Sequence, residues 1–159
     1  MKTILLLVAL TGWPALSAAQ GWFRDSTINR TGGKTTPHIS ALSKEHNGLL
    51  KVACSDDTLE VALELGTDWI QGAMVMGQLM GQDILIRRDG GRPVLEHWNS
   101  VPGSAFVFGP PATEVARDLA THKTFAVQVM QGQTGETKLA TFELPNPQVL
   151  KTFMAECRP

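Results

Sequence analysis

The chain has almost no net charge, and it has few cysteines. Fourteen Lys and Arg stand against 15 Asp and Glu among 159 residues, a formal charge of −1. Such a balance gives no field to gather nucleic acid, which excludes the commonest electrostatic footprint of a nucleic-acid-binding domain. No internal repeat and no long low-complexity tract is present. No G-x-S-x-G elbow for a serine nucleophile occurs. Gly32-Gly33-Lys34 lacks the spacing of a phosphate loop. Four histidines, His38, His46, His97 and His122, have no paired-ligand spacing, so each reads as a surface residue and not a zinc ligand. Residue pairs such as Asp56-Asp57 read as turns, where Asp is common for local hydrogen bonding. The sequence therefore predicts a non-enzymatic protein without a cofactor.

The one long apolar run is at the start. Lys2 precedes Ile4 to Leu10, Pro14 follows, and Ser17-Ala18-Ala19 offers small residues for cleavage. This is the pattern of a secretory signal peptide over residues 1–19, and its apolar stretch is short of the roughly 20 residues a membrane helix needs. The expected location is the periplasm, with no membrane span after cleavage. About 140 remaining residues suit one domain with a sizeable core. Residues 20–35 are polar and turn-rich and read as a flexible N-terminal segment; residues 36–159 read as a single β-rich domain.

Along that domain the apolar residues mostly alternate. Leu50, Val52 and Cys54 share one face at period two, and Leu59, Val61, Leu63 and Leu65 do the same after Asp56-Asp57, which predicts a hairpin. Residues 66–81 form either an irregular loop or a poor strand. Ile84 and Ile86, the turn Asp89-Gly90-Gly91, and then Val94 and Trp98 predict a second hairpin. A short strand follows at 104–108. Gly109-Pro110-Pro111 leads a helix of two to three turns, and strands are predicted over 125–130 and 138–144. Asn146-Pro147 opens a last helix with Leu150, Phe153, Met154 and Cys157 on one face, Asn146 being the expected N-cap. The fold class is α+β: mostly antiparallel sheet, as a sandwich or curled sheet, with one short helix and a C-terminal helix.

Cys54 and Cys157 both point where the core is expected. In an exported chain two thiols are expected to pair, the alternative being two free buried thiols. A bond between them ties an early strand to the last helix.

Several ordered motifs carry a resemblance. They are Leu50 to Cys54, Ile84-Leu85-Ile86-Arg87-Arg88-Asp89, Trp98-Asn99-Ser100, the run Leu119 to Val129, Ala140-Thr141-Phe142-Glu143-Leu144, and Leu150 to Cys157. In this order they resemble the VasI-like family of small exported accessory proteins associated with type VI secretion, over about residues 36–159. The resemblance implies a periplasmic, non-enzymatic accessory protein with a disulfide, acting on another envelope or secretion-machinery protein. It does not by itself imply membership in a secretion system. Two departures stand out: 72–81 is additional, and the arginine is doubled as Arg87-Arg88.

Three groups suit binding. Met74, Met76 and Met80 with Trp69 form the candidate partner-binding segment; soft thioethers also suit Cu(I), so a copper or small-ligand module using this methionine loop, with His97 elsewhere, is the alternative. Arg87, Arg88 and Arg92 can grip an anion, but they read better as a solvated hairpin tip. Trp69 and Trp98 can anchor an interface, though core packing is the preferred reading. An inhibitor of an envelope enzyme fits the same small stapled domain.

Overall fold

The computed structural model describes residues 21–28, 35–67, 69–70, 72, 74–75, 78–130 and 135–157. The expected signal peptide lies outside the described residues. The strands are β1 (Phe23–Ile28), β2 (Thr35–Leu42), β3 (Leu49–Ser55), β4 (Thr58–Glu64), β5 (Met74–Val75), β6 (Gln78–Leu79), β7 (Gly81–Arg88), β8 (Val94–Val101), β9 (Ser104–Phe108), β10 (Thr124–Met130) and β11 (Thr137–Glu143). The helices are α1 (Pro110–Leu119) and α2 (Pro147–Glu156).

Nine strands make one antiparallel sheet in the order β1-β2-β3-β4-β9-β8-β7-β10-β11. Hairpins supply most of the neighbours. The β3–β4 turn has φ of 48° at Asp56 and 60° at Asp57, the left-handed pair that a two-residue hairpin loop requires. The contacts of β4 with β9 and of β7 with β10 instead join strands far apart in sequence. The sheet curls until the turn after β2 reaches β11. There Lys44 donates its backbone N–H to Thr141 O at 2.8 Å, and Thr141 N–H donates to Glu45 Oε2 at 2.8 Å.

The alternation decides what the curl encloses. Leu50, Val52, Val61, Leu63, Ile84, Ile86, Trp98, Phe125, Val127 and Phe142 are buried on the inner face, and Val115, Leu119, Leu150 and Phe153 of the helices join the same cluster. Fully burying each such side chain contributes about 1.5–3 kcal/mol. Trp98 is thus a core residue. Cys157 follows α2 directly and is bonded to Cys54 of β3. The fold class is as the sequence predicts: α+β, a mostly antiparallel curled sheet, with the C-terminal helix tied by a disulfide.

Some expectations need correction and others become more specific. Part of the segment expected to be flexible, 20–35, is strand β1, paired along its length with β2; its polar sequence hides a strand whose order comes from the ladder. The stretch 66–81, expected as an irregular loop or a poor strand, holds two two-residue strands, β5 and β6, that pair with each other. Arg88 is not part of a solvated tip: its side chain is only 19% exposed, because it continues the inward parity of Ile84 and Ile86. Asn146 is the N-cap of α2 with Pro147 after it, as expected, but it is left-handed and makes no side-chain cap; its carbonyl accepts from Val149 N–H at 3.2 Å.

Candidate functional surfaces

Where β7 and β8 meet α1, one arginine holds the cleft together. Arg88 Nη2 donates to Glu96 Oε1 at 2.7 Å, and Arg88 Nε makes an ion-pair contact with Asp118 Oδ2 at 2.5 Å without hydrogen-bond alignment. Its guanidinium sits 6.0 Å from the centroid of the Phe125 ring. Burial opposes the charge, but the hydrogen bond from Arg88 to Glu96 and the fields of Asp118 and Glu96 more than offset it, holding Arg88 above its ordinary value. Glu96 Oε2 also accepts from the indole Nε1 of Trp98 at 3.0 Å. A cavity of about 420 Å³ lies beside the disulfide and one of about 440 Å³ over this cluster, both against α1. In the second, two carboxylates neutralise the cation. Chemically it is a fastening between α1 and the β7–β8 hairpin: the one arginine among its described lining residues is already paired with two carboxylates.

The candidate partner-binding segment is built differently. Met74 pairs with Leu79 and Val75 with Gln78, forming a ribbon separate from the main sheet. Its foot is fixed. Gly103 N–H donates to Ile70 O at 2.7 Å, and Ser100 donates to Met80 O through its N–H at 2.9 Å and its hydroxyl at 2.7 Å. Gly72, at φ 51°, lies so close to the chain that a Cβ there would come within 2.2 Å of the Val101 carbonyl carbon. Leu79 and Met80 are exposed, at 38% and 47%. Trp69 sits at the foot, packed against the core, with the Lys138 ammonium 5.1 Å from its ring centroid. Lys138 also donates to Leu65 O at 2.7 Å.

Of the methionine set, Met74 begins β5, Met80 directly follows β6, and Met76 lies outside the described residues. His97 is engaged elsewhere: its Nδ1 is 2.8 Å from Asp83 Oδ1, on the parity of β7 and β8 opposite to the core. Among the described residues, no three His, Cys, Asp or Glu side chains converge into a metal-binding group. The other histidines are dispersed, and His38 is buried, not at the surface as expected. His38 Nδ1 is 3.4 Å from Thr27 Oγ1, and His122 Nδ1 is 2.8 Å from Asp118 O. Arg87 and Arg92 are exposed, unlike Arg88.

A third surface was not read from the sequence. On the outer face of β8, β7, β10 and β11, Leu95, Leu85, Gln128 and Leu139 stand opposite one another in register. The signal for it was present: Leu85 and Leu95 occupy the polar parity of strands whose other parity fills the core.

These features define a disulfide-stapled α+β protein on a curled antiparallel sheet, with a ribbon fixed at its foot. No protein-family model, curated protein or solved structure matches the chain. Among the described residues, no helix is long and apolar enough to cross a membrane.

Proposed function

We propose that this chain is an exported, non-enzymatic accessory protein of the periplasm that works by contacting another envelope or secretion-machinery protein. The observation that carries the reading is the β5–β6 ribbon. It exposes Leu79 and Met80 while Met80 O, Ile70 O and Gly72 are held against the β8–β9 hairpin. Holding apolar side chains in water on a prepared backbone is unfavourable for a free monomer and useful to a binding surface, because little ordering entropy remains to be lost on docking. The disulfide fits an oxidising compartment. The resemblance to VasI-like proteins points the same way, and the ribbon coincides with the segment by which this chain departs from them. Its partner contact is accordingly its own.

Photo-crosslinking in the periplasm tests this. A photoreactive residue at Leu79 or Met80 should yield one discrete protein adduct, and the same residue at exposed Lys151 on α2 should not. Replacing residues 73–79 by a short turn should leave the melting temperature nearly unchanged and abolish binding of that protein. Equal adducts at Lys151, or a partner retained after the replacement, would overturn the assignment.

A further inference from the structure

Independently of the ribbon, we infer that the outer face of β8-β7-β10-β11 is a self-complementary surface that takes a second copy of this chain. Leu95 is 63% exposed, Leu139 51% and Met130 64%. They are not scattered. Leu95 is opposite Leu85, Leu85 opposite Gln128, and Gln128 opposite Leu139, so three leucines lie in one row across four strands. Among the described residues, such a row on a sheet face is a packing surface without its second layer.

The charges beside the row say what the second layer is. Asp83 and Arg87 lie on the same face of β7, two residues to either side of Leu85. Each is therefore about 6.8 Å from the row, in opposite directions. A two-fold axis along the leucine row, in the plane of contact, reverses the strand direction of the facing copy. Each leucine then meets its own equivalent, and Arg87 of one protomer meets Asp83 of its partner, twice by symmetry. The remaining groups are compatible. Met130 and Thr137 lie on the Asp83 side, and Ala126 and Thr141 on the Arg87 side, so Met130 faces the small Ala126. His97, already beside Asp83, is a second hydrogen-bonding group on that carboxylate. An isologous contact of this kind closes on itself and does not propagate into fibres.

The patch is four strands wide and five residues deep, about 19 by 17 Å, or roughly 320 Å². That is below the approximately 800 Å² per partner of standard interfaces, so the dimer is a weak one.

Sedimentation velocity of the oxidised mature chain over a concentration series reads this directly. Monomer should convert to dimer as concentration rises, and Leu95→Glu should hold the chain monomeric with an unchanged near-ultraviolet circular dichroism spectrum. The charge pairing has its own signature. Arg87→Asp and Asp83→Arg should each weaken self-association roughly tenfold or more, since each sets like charges face to face. An equimolar mixture of the two variants should restore the dimer, because both cross-contacts become opposite pairs in the mixed species. A chain that stays monomeric to about 1 mM, or a dimer indifferent to Leu95→Glu and to the charge variants, would overturn the inference.

Discussion

Arg88 and Trp98 share one carboxylate: Glu96 accepts from the guanidinium through Oε1 at 2.7 Å and from the indole through Oε2 at 3.0 Å. The fully buried Trp98 and the largely buried Arg88–Glu96 ion pair are thereby coupled. Truncating Glu96 leaves two donors without their acceptor. Glu96→Ala is expected to cost about 2 kcal/mol, and Glu96→Gln, which keeps an acceptor for the indole, about 1 kcal/mol. Urea unfolding followed by Trp fluorescence measures both.

The Cys54–Cys157 bond closes a loop spanning 103 residues. In the chain-entropy account a loop of that length stabilises by up to about 4.7 kcal/mol, all through the unfolded state. A Cys54→Ala/Cys157→Ala double variant should lose about 3–4.7 kcal/mol in urea melts. Added reductant should then have no further effect on it.

Two carboxylates respond oppositely to pH. Asp89 Oδ1 accepts from the N–H groups of Thr124 and Lys123, each at 2.8 Å, and from the Thr124 hydroxyl at 3.3 Å. These bonds favour the anion and hold Asp89 below the ordinary carboxylate range. Its contribution is complete above the unfolded value of about 3.9 and is lost as pH falls through the lower folded value. Melting temperatures of the parent should drop more steeply below about pH 4 than those of Asp89→Asn.

Glu60 is raised. Burial is the main cause, the neighbouring Glu64 adds to it, and Lys51 only partly opposes it. The folded state therefore holds this proton more tightly than the unfolded chain does. Stability from Glu60 is complete below its unfolded value of about 4.3 and is lost as pH rises through the folded value. Glu60→Gln should raise the melting temperature at pH 7 and leave it nearly unchanged at pH 3.

Gly72 tests the foot of the ribbon. A Cβ there meets backbone at Val101, 2.2 Å from its carbonyl carbon and 2.5 Å from Pro102 N, and the residue has a positive φ. Backbone cannot swing aside as a side-chain tip can. Gly72→Ala should cost about 1–3 kcal/mol. It should also speed hydrogen exchange at the Gly103 and Ser100 amides, which bond to Ile70 O and Met80 O.

The sequence was legible wherever structure is local. Alternation placed Leu50 to Cys54, Leu59 to Leu65 and Ile84 to Ile86, and an Asp-Asp pair marked a turn whose left-handed backbone Asp tolerates. Strand β1 was missed because Phe23–Ile28 has little apolar alternation, its order arising from pairing with β2. Arg88 was misjudged by its charge, although its parity already matched Ile84 and Ile86. The leucine row needed more than parity. Leu85 and Leu139 are 54 positions apart in the chain, and only the register through Gln128 on β10 aligns them.

The sequence by itself determined the α+β class, the hairpins, the inward faces and the two thiols available to pair, because period-two and period-3.6 patterns are properties of neighbouring residues. Only the tertiary structure decided that β4 lies beside β9 and β7 beside β10, that Glu96 and Asp118 converge on Arg88, and that the outer leucines align. Those relations depend on contacts between distant segments. Their loop-closure entropy is offset only when the whole sheet forms, so no local stretch of residues encodes them alone.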